Sequence, residues 1–211
     1  MFVQIMEGRA RDIEGMKREL DRWVSELRPG ATGFLGSTGG VTADGRVISL
    51  ARFESADAAR RNRDRPEQGE WWAAMEKCFE GAVTFTESED VQEFLGGGSD
   101  DAGFVQIMKG SGVDRDAISR LDEKFVELAP TARPDLIGGF RVWTGPDSGY
   151  DVNYFTSEAD ARAAEAAGPP PELGELYEDF EKLLAGTEFF DLTDPLAGVT
   201  TDRIRRRAGR R

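Results

Sequence analysis

Apolar residues crowd the segment Phe2-Val3-Gln4-Ile5-Met6, and the same five residues return as Phe104-Val105-Gln106-Ile107-Met108. Read with a period of two, Val3 and Ile5 face one side of a strand while Phe2, Gln4 and Met6 face the other. The period then lengthens. Ile13, Met16, Leu20, Trp23, Val24 and Leu27 recur at helical spacing, which predicts an amphipathic helix near 10–27 ended by Pro29-Gly30. Two strands over 31–43 and 46–54 flank the turn Ala43-Asp44-Gly45. Gly33, Gly36, Gly39 and Gly40 in the first of them predict a bulge or a close backbone approach; the Lys-Ser/Thr ending of a phosphate-binding loop is missing. Ser55 is placed to cap a helix over 56–64, Pro66 opens another over 66–80, and Gly81 closes it. The last strand is expected over 82–87, with an extended edge running on toward Leu95.

The order is therefore βαββαβ, a ferredoxin-like unit. Gly96-Gly97-Gly98-Ser99-Asp100-Asp101-Ala102-Gly103 reads as a flexible linker, after which the pattern repeats. A strand over 104–109 leads to a helix over 113–129, broken by Pro130 and Pro134, and a hairpin fills 135–155. Phe53 and Phe155, Ser55 and Ser157, and Gly36 and Gly138 all stand 102 residues apart. After an insertion at Gly168-Pro169-Pro170 the match resumes, with Trp71-Trp72 opposite Leu176-Tyr177 and Gly81 opposite Gly186. The expected organisation is a first repeat over 1–95, a linker over 96–103, a second repeat over 104–195 and an arginine-rich tail over 196–211.

Apart from Gln4 and Gln106, both faces of each leading strand are apolar. A single helical layer covers only one face. The expected fold is thus α+β: two tandem ferredoxin-like domains packed sheet to sheet as an intramolecular α/β barrel, an internal pseudo-dimer within a monomeric chain. Gln4 and Gln106 are expected to form a matched hydrogen-bonding pair near the seam between the copies.

Composition narrows the chemistry. The net charge is −13, which disfavours general binding to nucleic acid or anionic membranes. The exception is the end of the chain, where Arg203, Arg205, Arg206, Arg207, Arg210 and Arg211 stand against Asp202 alone. Cys78 is the single cysteine, and its helical apolar surroundings predict a buried thiol. With no disulfide, no basic-then-apolar opening segment and no apolar run of membrane-spanning length, a cytoplasmic location is expected. Histidine is absent. That excludes Ser-His-Asp and Cys-His machinery and histidine-ligated haem; no metal or other cofactor is expected.

The βαββαβ order, the length per copy and the segment Arg65-Pro66-Glu67-Gln68-Gly69-Glu70-Trp71-Trp72 with Met75-Glu76-Lys77 resemble the dimeric α/β-barrel superfamily. The named group they are most similar to is the antibiotic-biosynthesis-monooxygenase-like domains, in tandem-fused form and of actinobacterial type. The resemblance implies a small-molecule-binding protein, and as an activity the cofactor-independent monooxygenation or isomerisation of an aromatic, polyketide-like compound. The alternative is a non-catalytic interaction or regulatory protein that uses its arginine-rich tail.

For such a ligand, small and apolar or aromatic, the candidate walls are Trp71, Trp72, Trp143 and Tyr177. Candidate catalytic groups are Asp151 and Asn153, which share a strand face, and Tyr154 and Arg52, which occupy matching positions on the opposite face. Each also has a structural reading, as aromatic packing, a satisfied polar network or a side chain reaching out at a barrel end. Because the copies differ at Arg52/Tyr154 and Ala51/Asn153, a working pocket is expected in one half only.

Overall fold

The computed structural model describes residues 1–193, in two compact units that meet in sequence at Val91 and Gln92. The first unit runs β1 (Phe2–Arg9), α1 (Ile13–Arg22), a π-helical turn (Trp23–Leu27), β2 (Phe34–Val41), β3 (Arg46–Phe53), α2 (Ala56–Arg63), α3 (Pro66–Met75) and β4 (Thr84–Ser88). Its antiparallel sheet has the order β2-β3-β1-β4. The second unit runs β5 (Val91–Phe94), β6 (Phe104–Gly110), α4 (Arg115–Ala132), β7 (Leu136–Trp143), β8 (Gly149–Phe155), α5 (Glu158–Ala167), α6 (Gly174–Leu183) and β9 (Glu188–Leu192). Its sheet has the order β5-β7-β8-β6-β9. Both are ferredoxin-like, with the leading strand between the hairpin and the last strand. The arginine-rich tail lies outside the described residues.

Local chemistry sets the helix starts. Asp12, Ser55, Asp114 and Ser157 each accept a hydrogen bond from the backbone N–H three residues on, which satisfies one of the donors a helix leaves open at its first turn. Pro66 occupies the first turn of α3, where no backbone donor is needed. Pairing follows the alternation. In the first unit Val3, Ile5, Ile48 and Leu50 are buried on one face. On the other, Met6, Val47 and Val41 pack against Met16 and Leu20 of α1, Trp71, Trp72 and Met75 of α3, and Cys78. Cys78 is buried, and that burial pushes its thiol pKa up, as an inert core thiol requires.

Four expectations are corrected. The helix near 10–27 loses its α geometry at Trp23, where a π-helical turn begins. Pro130 does not end α4, which continues to Ala132, although a proline there gives up the N–H bond to the preceding turn. Gln4 and Gln106 do not bond to each other. The register sets Gln4 opposite Glu87 and Gln106 opposite Asp191, and each glutamine Nε2 donates to that carboxylate at 2.9 Å. Each amide is thus satisfied across its own sheet.

The fourth concerns the edge that was to run on from the first repeat's last strand. It leaves that sheet, and as β5 it lies beside β7 in the second. The reason is in β7: a side chain at Gly139 would overlap the Phe94 ring, and one at Gly138 would meet the Gly97 carbonyl. The paired glycines leave room for β5. Gly139→Val is expected to displace Phe94 and lower stability by about 2 kcal/mol or more. Faster amide exchange confined at first to residues 91–94 would identify the cause.

Candidate functional site

The first unit contains a cavity of about 500 Å³ between its sheet and its helices. The sheet contributes Gln4 and Met6 from β1, Ser37 and Gly39 from β2, and Ser49, Ala51 and Phe53 from β3. The helical side contributes Met16, Leu20, Trp23, Asn62, Gln68, Trp71, Trp72 and Met75. Arg63, Gly69, Phe85 and Glu87 also line it and are exposed, so it reaches solvent.

Its walls are aromatic. Trp23 meets Phe34 edge-on at 4.8 Å, and Phe34 meets Phe53 at 5.4 Å. Trp71 connects Trp23 to Trp72, at 6.4 and 6.2 Å, and Trp72 meets Phe85 edge-on at 5.2 Å. Two of the three indole N–H groups are satisfied away from a ligand: Trp71 Nε1 donates to the Glu19 carbonyl at 2.7 Å and Trp23 Nε1 to Gln68 Oε1 at 2.8 Å. These bonds hold the rings in place and present their faces. Polar groups are few. Asn62 is buried, and its Oδ1 accepts from Arg65 Nη1 at 2.9 Å; Ser37, Ser49 and the Gln4–Glu87 pair complete the set. A volume of this size, largely apolar with a few convergent polar groups, suits a planar organic molecule.

In the second unit the equivalent space is filled. Leu20, Gly39 and Ser49 correspond to Asp122, Arg141 and Asp151. Arg141 crosses that space, donates through Nε and Nη2 to Asp151, the latter at 3.1 Å, and through Nη1 to Asp122. Its guanidinium lies 5.6 Å from the Trp143 ring. The space that remains is about 10 Å³, and it is lined by Met108, Arg141, Tyr150, Asp151 and Leu184, among others. Their counterparts Met6, Gly39, Ile48, Ser49 and Phe79 all line the open cavity. One cation between two carboxylates leaves a net negative charge in a partly desolvated site. Burial accordingly pushes the Asp122 carboxyl up to about 6, despite Arg141 and helped by Asp151.

The residues singled out from sequence are divided by this arrangement. Trp71 and Trp72 line the open cavity. Their aromatic counterpart Tyr177 stands in the second unit with its ring 6.4 Å from Phe125, and Trp143 is buried under Arg115 and Arg141. Asp151 is engaged by Arg141, and Asn153 Nδ2 lies 3.6 Å from Met108 Sδ. Arg52 and Tyr154 are buried, and neither lines the cavity. The structure does not gather the four candidate catalytic residues into one site; the open cavity has Ser49 and Ala51 where the second unit has Asp151 and Asn153. Asn62 and Gln68 were not singled out from the sequence, and Glu87, in the acidic run Glu87-Ser88-Glu89-Asp90, reads there as part of a solvated face; it is exposed and also lines the cavity. Among the described residues no group of three Cys, Asp or Glu is placed to hold a metal ion, and no helix is long and apolar enough to cross a membrane.

Two outcomes are expected. Arg141→Ala leaves two facing carboxylates and should destabilise by about 3–5 kcal/mol. Copying the first unit with Asp122→Leu, Arg141→Gly and Asp151→Ser together should recover much of that loss, as read by urea unfolding. Asp122 gives the second. A carboxyl whose pKa is higher folded than unfolded stabilises below its unfolded value of about 3.8, and this contribution is lost as pH rises through about 6. Unfolding midpoints of the wild type should therefore fall relative to Asp122→Asn between pH 4 and 6.

No family model matches the chain, and no curated protein does. Solved structures do. The "putative monooxygenase" of Lactobacillus acidophilus NCFM superposes with a TM-score of 0.69 at 13% identity, covering 90% of this chain and 92% of that one. The "putative monooxygenase" of Fusobacterium nucleatum subsp. nucleatum ATCC 25586 gives 0.67 at 9% identity, with 90% of both chains covered. An anthrone oxidase-like protein gives 0.59 at 12% identity, covering 90% and 89%. At such identities the likeness is one of fold: it spans both units, and the chain has a tandem ferredoxin-like fold.

Proposed function

We propose that this protein binds a planar aromatic molecule in the cavity of its first unit and oxygenates it without a bound cofactor. The observation that carries this reading is the cavity itself, about 500 Å³ walled by the rings of Trp23, Phe34, Trp71 and Trp72. Stacking on these faces would hold an extended ring system, and Ser37, Ser49 and Asn62 would meet its oxygen substituents. The absence of histidine removes histidine-ligated haem as the oxygen-activating group. An electron-rich substrate can itself supply the electrons: once deprotonated, an anthrone-type methylene reacts with dioxygen, and the carbon becomes a carbonyl with release of one water. The fold shared with proteins named as monooxygenases and as anthrone oxidase-like supports the same class of reaction. One ligand per chain follows from the filled second unit.

Oxygen uptake with 1,8-dihydroxyanthrone tests the proposal, with a chelator present throughout. The expected result is one dioxygen consumed per anthraquinone formed. Ala51→Trp, which places a ring in the cavity, should lower kcat/KM by about 100-fold or more with the far-UV spectrum unchanged. Tight binding without oxygen uptake would leave a binding protein and overturn the catalytic half of the reading.

A further inference from the structure

The two units treat their matched glutamine–carboxylate pairs differently. In the second, Asp191 accepts from Gln106 and also from Arg162, a guanidinium that lies against it. In the first, the counterpart of Arg162 is Arg60, which is engaged with Asp57 at 3.0 Å. Among the described residues Glu87 has no cationic partner; Gln4 Nε2 alone donates to it, at Oε1. The carboxylate beside the filled space is neutralised by an arginine, whereas the one beside the open cavity is not.

Geometry gives that difference a use. Gln4 stands between Ala51 and Glu87 in the register of three adjacent strands, and all three residues line the cavity. The small Ala51 replaces Asn153 and clears the space next to the glutamine. Glu87 is the single carboxylate among the lining residues, and Gln4 fixes one of its oxygens, so that the other is free to accept a proton. Its neighbour Phe85 on the same strand face is 48% exposed and stands edge-on to Trp72, extending the aromatic wall to the carboxylate.

We propose that Glu87 is the proton acceptor of this site and Gln4 its positioning residue. The ligand class is an acidic aromatic, a phenol or an enolisable ketone. In the step, an O–H or activated C–H bond of the ligand breaks, the proton passes to the free carboxylate oxygen of Glu87, and the electron pair stays on the ligand as phenolate or enolate. The resulting anion is the species that would react with dioxygen, so this proposal rests on the reading of the cavity given above.

The test separates the two. 1,8-Dihydroxyanthrone is mixed anaerobically with the full chain; quenching of tryptophan fluorescence reports binding, and the long-wavelength absorption of the anion reports ionisation. The wild type should bind and ionise it. Glu87→Gln keeps the shape and the bond from Gln4. It should bind within about threefold of the wild type and form the anion about 100-fold more slowly. Ionisation by Glu87→Gln at the wild-type rate would overturn the assignment while leaving the cavity reading intact, and failure of the wild type to bind would overturn both. Gln4→Leu should slow ionisation with binding retained; Gln4→Glu, which returns a polar partner of the same length but repels the carboxylate, should not rescue it.

Discussion

In each unit the space between sheet and helices must be either filled or walled, and the side chains standing on the sheet decide which. Aromatic and aliphatic residues from α1 and α3 form the roof over the first sheet. Beneath them Gly39, Ser49 and Ala51 are too small to meet that roof, and the rings of Trp23, Trp71 and Trp72 hold one another up instead. Hydrogen bonds from two of the indoles to Glu19 and Gln68 keep the walls from collapsing inward. A void of this size forgoes the dispersion contacts of a filled core, a sacrifice that a binding site requires and a purely structural domain does not.

The second unit shows the same scaffold with the space closed. Its plug is ionic: Arg141 lies between Asp122 and Asp151, over Trp143. A buried cation held by two carboxylates is specific in geometry but not strongly stabilising, because desolvation offsets much of the attraction. Apolar residues of the same volume would fill the space as well. The ion triad fills the space that is open in the first unit, and the raised pKa of Asp122 reflects its desolvation.

The two units differ in what stands beside that space. Paired glutamines and carboxylates stand in both units, but Arg162 is bonded to Asp191 in one, while in the other Glu87 accepts from Gln4 beside the cavity. A handful of differences between the copies, which are otherwise alike in element order and register, separates the open space from the filled one.

The fold was legible in the sequence because it depends on period and repetition. Alternation in Phe2–Met6 defines a strand whatever its neighbours are, and its return at Phe104–Met108 defines a second unit. The caps at Ser55 and Ser157 are equally local. Trp71 and Trp72 could be named as wall residues from their place on a short helix. The open cavity could not be assigned to a copy, because its volume depends on Leu20, Gly39 and Ser49 meeting from three elements distant in the chain. The partners of Gln4 and Gln106 were set by strand register, and the course of β5 by two glycines more than 40 residues away. Local pattern determined the elements and their number. Only the tertiary structure decided which space stayed empty, since an empty volume belongs to the side chains around it jointly and to none of them alone.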